Sequence, residues 1–286
     1  VEDKQTTKQL DQAKQLAASY HYDEAIALLE KDDAKEAQQL LATLKKEKES
    51  LVKWEDPTKI SHVFFHSLIV DPAKAFHTQQ AQGYKDYMVT ISEFNKTIDQ
   101  LYKNNYVLVN LNGLVKKGTD GKLTFTGVSL PEGKKPLILS QDDVSYYEYM
   151  DNSGFPSKLI VDKQNQIKNI YIDNKKETVG DYDMVPLIDS FIKKHPDFSY
   201  QGAKGTLALT GYNGVLGYRT SKSEYGDNEK TNKEIEAAKK VADQLKKDGW
   251  SFASHTWGHL NMTQASLADI QQDNERWQNE VAPILG

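Results

Sequence analysis

The chain has 286 residues, with 36 Lys and Arg against 41 Asp and Glu and a formal charge of −5. That balance argues against nucleic acid as the main partner, because phosphate recognition leans on clustered cationic side chains. No run approaches the roughly 18 apolar residues of a membrane span. The absence of Cys excludes disulfides and thiolate ligands, leaving His and carboxylate as the metal donors.

Residues 1–55 read as a helical appendage. Leu10, Ala13, Leu16 and Ala17, then Ala25, Ile26, Leu28 and Leu29, then Leu40, Leu41 and Leu44 recur at helical spacing, with a break around His21. The pattern resembles one tetratricopeptide-like helix pair followed by a third helix. A single repeat cannot bury its own face, so the helices either cap the next domain or bind a protein partner. Asp32-Asp33, with no apolar strand before it and no nearby His, reads as a solvated turn or helix start. Trp54-Glu55-Asp56-Pro57 marks the boundary, and residues 56–286 form a second domain.

In that domain Ile60 to Ser67 reads as a strand ending at His66, Ile91 to Leu101 as a helix, and Asn105 to Val109 as a turn and strand. Pro136-Leu137-Ile138-Leu139, followed by small polar residues, reads as a buried strand that runs into a loop at its carboxyl end, carrying Gln141-Asp142-Asp143. Residues 158–185, with Ile160, Ile167, Ile170, Ile172 and a Gly180-Asp181 turn, look like an inserted hairpin or small sheet. Ala238, Val241 and Leu245, closed by Asp248-Gly249, form a helix leading into strand Trp250 to Ala253. Ser266 starts a last helix with Leu267, Ile270, Trp277 and Val281 on one face.

Two of these segments carry chemistry together. Asp142-Asp143 and His255-Thr256-Trp257-Gly258-His259 offer one carboxylate and two imidazoles for a metal, with a second carboxylate left over as a base. Two His and one Asp keep coordination positions open for water and substrate, which catalytic zinc requires. The chain therefore reads as a hydrolase. Each half is weak alone: with seven His, some His-x-x-x-His pair arises by chance in roughly one such chain in six. The context strengthens it, because strand ends are where open and barrel-type α/β folds place chemistry.

At these residues the chain resembles the polysaccharide deacetylases of carbohydrate esterase family four, the NodB-homology domain. The family's Thr-Phe-Asp-Asp-Gly motif is similar to Ser140-Gln141-Asp142-Asp143-Val144, which keeps both Asp and has Val144 for the Gly. Its His-Ser/Thr-x-x-His motif is matched in full by His255 to His259. The resemblance implies Asp142 as general base, and Asp143, His255 and His259 as ligands of one divalent ion, zinc above others. The segment ending at His66 resembles the amino-terminal strand of the circularly permuted, biofilm-type members, and this implies His66 as the general acid. The implied fold is α/β, an irregular (β/α) barrel with its catalytic residues at the carboxyl edge of the strands. The family's Pro-Tyr or Pro-Phe motif would fall beyond Gly286, so an incomplete domain is expected.

The implied reaction removes N-acetyl groups from an N-acetylglucosamine-containing polysaccharide, either peptidoglycan or a surface glycan. A chain without Cys that starts at Val1 rather than Met is expected to have lost a leader or anchor and to work outside a bacterium or on its surface. Other readings stay open. The metal set alone would equally serve a different amidohydrolase, and Val144 with the missing motif suits a degenerate, non-catalytic carbohydrate-binding or wall-associated domain. His66 could be a satisfied core histidine and Asp142 a helix cap. Trp257 could line a pocket for the acetyl methyl or pack on its strand. Tyr146, Tyr147 and Tyr149 could stack on pyranose rings or fill the core. The Gly211 to Arg219 loop, with Tyr212 and Arg219, could contact sugar or be a core turn. His21, His62, His77 and His195 carry no motif and are given no role.

Overall fold

The computed structural model describes residues 2–286, with side chains from Thr7 onward. Val1, on which the expectation of a lost leader rests, lies outside the described residues. In chain order the elements are α1 (Glu2–Ala18), α2 (Tyr22–Leu29), α3 (Lys35–Glu49), β1 (Val52–Trp54), β2 (Ser61–Phe65), α4 (Pro72–Ala75), α5 (Ala81–Tyr87), α6 (Ile91–Lys103), β3 (Tyr106–Leu108), β4 (Val115–Lys117), β5 (Leu123–Phe125), β6 (Val128–Leu130) and β7 (Lys135–Asp143). There follow β8 (Lys158–Val161), β9 (Ile167–Asp173), β10 (Lys176–Gly180), α7 (Met184–Lys194), β11 (Thr206–Leu209), α8 (Lys222–Tyr225), α9 (Glu229–Lys247), β12 (Ser251–Ser254), α10 (Leu267–Glu280) and α11 (Ala282–Leu285). The chain forms two compact units. One comprises the residues up to His62 with Gln100–Ile138 and Phe191–Ala203, and the other Val63–Asp99, Leu139–Ser190 and Lys204–Gly286.

In the first unit the helical spacing of the amino-terminal region becomes a buried stripe. Leu10 and Ala13 of α1, Ala25 and Leu29 of α2, and Ala37, Leu41 and Leu44 of α3 join one apolar cluster with Val107, Val109 and Leu130. Asp32 corrects its sequence reading, since it is buried rather than solvated. Its Oδ1 accepts from the Ala34 N–H at 2.9 Å and its carbonyl from Gln38 Nε2–H at 2.6 Å. Ala34, at the cap of α3, has no side-chain oxygen to offer the first turn, and Asp32 fixes the Ala34 N–H just ahead of the helix. Trp54 lies in β1, which pairs antiparallel with β6. β3 pairs in parallel with the first residues of β7, Val107 opposite Pro136.

The second unit is built on the sheet order β12-β11-β7-β2, in which β7, β11 and β12 run parallel. Parallel strands are covered on both faces and so read as continuous buried runs rather than alternating ones. In β7 the consecutive residues Leu139, Ser140 and Gln141 are all buried. β8, β9 and β10 form a separate three-stranded antiparallel sheet, within the stretch where a small sheet was expected. Helix α9 is capped by Asn228, whose Oδ1 accepts from the Thr231 N–H, and buries Ala238, Val241 and Leu245. It stops where Gly249 takes a φ of 99°, the left-handed backbone that suits glycine after a helix, and β12 follows. Helix α10 opens on a capping box between Ser266 and Asp269. Its buried residues are Asp273 and Trp277. Leu267, expected on that face, is 71% exposed because it occupies the first turn, ahead of the packed stretch. The architecture is thus mixed α/β with a parallel central sheet. Among the described residues no helix is long and apolar enough to cross a membrane.

Candidate active site

Strand register assembles the site. Asp143 pairs with Leu209, and Leu209 with Ser254, so the carboxyl ends of β7, β11 and β12 lie level. The His255 N–H then donates to the Leu209 carbonyl at 2.8 Å. This carries the parallel alignment one residue beyond β12. Asp143 and His255 are thereby brought to one edge, two strands apart.

The loop after β12 turns back sharply to bring His259 to the same place. Thr256 and His259 have φ of 65° and 55°, and Asp143 itself has 75°. A positive φ at a β-branched Thr is rare and strained, and it persists only when the surroundings over-determine it. Here Asp273 of α10 does so: its Oδ2 accepts from the Trp257 N–H and its Oδ1 from the Gly258 N–H, each at 2.7 Å. The Thr256 hydroxyl accepts from the Leu260 N–H at 2.7 Å. The left-handed turn at Asp143 also breaks the strand alternation that would send Asp142 and Asp143 to opposite faces. Asp142 lies one residue upstream on β7, half-buried and opposite Ala208.

The donor atoms of Asp143, His255 and His259 all lie within 4.8 Å of one another. Asp143 Oδ1 is 3.8 Å from His255 Nε2 and 3.6 Å from His259 Nε2. Its other oxygen, Oδ2, is 3.8 Å from His66 Nε2. His66 follows directly on β2, and its Nδ1–H donates to the Tyr87 carbonyl at 2.9 Å. That bond turns Nε2 toward the carboxylate. The side chain of Asp143 is 17% exposed, that of His255 32% and that of His259 53%. The carboxylate therefore forms a floor and His259 the mouth. A carboxylate oxygen with two converging imidazole nitrogens suits a divalent ion, and the set can hold a metal.

Two support layers carry no motif. The Tyr147 hydroxyl lies 3.1 Å from Asp143 Oδ1, to which it donates, and 2.5 Å from Thr210 Oγ1. Its ring stacks on Tyr212 at 4.5 Å and on Tyr149 at 5.5 Å. Burial, with the Asp143 charge adding to it, pushes the Tyr147 phenol far above its usual range, so it stays a neutral donor. Beneath His66, fully buried Asp183 accepts at Oδ1 from the Leu68 N–H (3.1 Å), Gln141 Nε2–H (2.7 Å) and the Met184 N–H (2.8 Å). Its Oδ2 accepts from the Tyr146 hydroxyl at 2.6 Å. Gln141 Nε2 also reaches the His66 carbonyl at 3.2 Å, tying β7 to the end of β2. Burial raises the Asp183 carboxyl, and its hydrogen bonds pull it partly back. Nothing local distinguishes Asp183 or Asp273 from the other acids of the chain. Tyr147 had one signal, its place four residues after Asp143.

Other residues singled out in the sequence have different work. Tyr146 is 2% exposed with its hydroxyl on Asp183, so its ring packs beneath the site and offers no face to a sugar. The Arg219 guanidinium donates to the carbonyls of Asn213 (2.8 Å), Tyr146 (2.8 Å) and Ser145 (3.3 Å). It braces the loop rather than reaching outward. Trp257 is 8% exposed; its indole N–H donates to Glu280 Oε2 at 2.8 Å, and Arg276 lies over its ring. Packing accounts for it. Tyr212 is half-buried between Tyr147 and Trp257.

Residues 224–286 match the family model for polysaccharide deacetylase. The chain thus resembles the polysaccharide deacetylases, a family of hydrolases. The matched stretch holds α9, β12, both motif histidines and α10, whereas His66, Asp142 and Asp143 lie outside it. No curated protein and no solved structure matches the chain. The segment similar to the deacetylases thus contributes His255 and His259, and the fold brings Asp143 to them.

Proposed function

We propose that the protein is a metal-dependent hydrolase that removes N-acetyl groups from an N-acetylglucosamine-containing polysaccharide, peptidoglycan or a surface glycan. The observation that carries this reading is the Asp143 carboxylate with His255 and His259 on one oxygen and His66 on the other. Asp143, His255 and His259 would hold one divalent ion, zinc by preference, and when bound such an ion polarises a carbonyl and lowers the pKa of water toward about 7. Asp142 takes the proton of the attacking water. His66, its ring oriented by Tyr87, gives a proton from Nε2 to the departing sugar amine, and acetate leaves. Tyr147 holds Asp143 in place from behind.

The same proposal takes the fold as an irregular, circularly permuted (β/α) barrel of the deacetylase type, residues 1–55 as a helical appendage able to receive a protein partner, and the site of action as the outside or surface of a bacterial cell. The deciding experiment is acetate release from N-acetylglucosamine oligomers by the zinc-loaded protein, with His255→Ala and His259→Ala as controls. Release by the parent and its loss in both variants supports the reading. One observation favours a second reading, a non-catalytic carbohydrate-binding domain: Val144, where the family motif has Gly, is fully buried beside the site. Glycan binding without any acetate release in the presence of zinc would select it.

A further inference from the structure

Most aromatic side chains of this protein are buried or half-buried. Among the described residues the exposed large apolar side chains include three aromatic ones, Phe64 (56%), Tyr87 (72%) and Tyr149 (49%); the others are aliphatic. The rings of Phe64 and Tyr149 adjoin the candidate active site, and Tyr87 meets it through its backbone. The Phe64 ring stands edge-on to the His66 ring at 6.0 Å. The carbonyl of Tyr87 holds His66 Nδ1. The Tyr149 ring lies parallel to Tyr147, 13° between planes, and Tyr147 touches Asp143. The Tyr149 phenol is pushed up to about 12, mainly by burial of its inner side, with the Asp143 charge among the causes.

Scattered exposed apolar residues are ordinary on a protein surface, but aromatic rings gathered round one polar cluster are not. An aromatic ring with an apolar face and a wet edge fits a ligand built the same way. A pyranose has a C–H face and a hydroxyl rim. We propose that Phe64 on the His66 flank and Tyr149 on the Tyr147 flank stack on the sugar units either side of the one being deacetylated. The protein then reads an extended glycan rather than a single sugar. This rests on the deacetylase reading and adds to it the length of chain recognised and the residues that recognise it. Tyr149 is favourably built for this role, because its inner face is fixed against Tyr147 and little freedom is lost on binding.

The test compares kcat/KM of the zinc-loaded full chain on N-acetylglucosamine and on its hexamer. In the parent the hexamer is favoured, since contacts away from the reacting group add binding energy. Phe64→Ala and Tyr149→Ala should each lower the hexamer-to-monomer ratio about two- to tenfold, and the double variant more. Tyr149→Phe, which keeps the ring, should restore the ratio, and Val179→Ala, an exposed apolar change on β10, should leave it at the parental value. A parent that treats both substrates alike, or ring-removing variants that keep its ratio, would overturn the proposal. A parent inert on every acetylated glycan would instead sink the deacetylase reading. Calorimetric titration of the hexamer then decides the stacking role: binding weakened in Phe64→Ala and Tyr149→Ala supports it, and absence of binding overturns it.

Discussion

His66 Nε2 lies 3.8 Å from Asp143 Oδ2, on the side of the carboxylate turned away from the oxygen that faces His255 and His259. One carboxylate thus separates two kinds of imidazole. Those on Oδ1 converge as ligands would, and the one on Oδ2 is oriented by Tyr87, a backbone carbonyl outside the cluster. That geometry suits the proposed division of labour, with Asp143, His255 and His259 holding a metal and His66 transferring a proton.

Metal content tests the first half of it. Zinc should bind at close to one ion per chain, and His255→Ala or His259→Ala should reduce this to near zero in dialysed protein measured by elemental analysis. Tyr147→Phe removes only the hydroxyl behind Asp143. It should leave the fold intact and weaken zinc by about ten- to a hundredfold, the usual cost of losing an outer hydrogen bond to a ligand.

The two adjacent aspartates should separate cleanly. Asp142→Asn should keep the ion and lower turnover by about two to four orders of magnitude, as loss of a general base does. Asp143→Asn should lose the ion. Zinc titrations and turnover on the same two proteins check the assignment, and exchanged phenotypes would mean that base and ligand are reversed.

For His66 the expectation is retained metal with depressed deacetylation in His66→Ala, by about two to four orders of magnitude for loss of the general acid. Loss of zinc in this variant would make His66 a ligand instead.

Asp183 predicts a pH dependence of stability. Its carboxyl is raised by burial, so between its unfolded and its folded value the native state holds the proton that the unfolded chain has released. Its contribution to stability therefore falls as pH rises through that window, the reverse of a salt-bridged acid. Asp183→Asn keeps an oxygen for the three N–H donors at Oδ1 and should flatten this part of the profile, read by urea unfolding from mildly acid to neutral pH. Asp183→Ala leaves those donors unmet and should cost about 1–3 kcal/mol per orphaned group at every pH.

Gly211 tests the packing under the histidine loop. A Cβ there would fall 2.0 Å from Trp257 Cδ1, and the Gly211 N–H donates to the Trp257 carbonyl. Gly211→Ala must displace the indole and the loop between His255 and His259. It should cost about 1–3 kcal/mol in thermal or urea unfolding, typical of overpacking, and weaken zinc as well.

Much of the secondary structure was legible because it is written in local periodicity. The helical stripe through Leu10, Ala25 and Leu41 and the helix closed by Gly249 stand where the spacing put them, whereas β7 runs on through Asp143, where a loop was expected. The donors Asp143, His255 and His259 were legible from their chemistry. What misled was local reasoning about burial: Asp32 looked solvated and is not, Leu267 looked buried and is exposed. Among the clustered tyrosines, Tyr146 lies under the site, Tyr147 touches the carboxylate and Tyr149 faces solvent. Left-handed turns at Asp143 and Tyr146 reset the alternation, and no residue type there announces them.

The sequence by itself determined which atoms could bind an ion and which segments would be helix or strand, because donor chemistry and short-range spacing belong to neighbouring residues. Only the tertiary structure decided that those atoms meet. Parallel register sets Asp143 level with Ser254 across β11, Asp273 pins the loop that carries both motif histidines, and Asp183 with Gln141 ties His66 to β7. Each is a contact between residues far apart in the chain, chosen by which backbone amides and buried carboxylates could satisfy one another once the apolar core had closed.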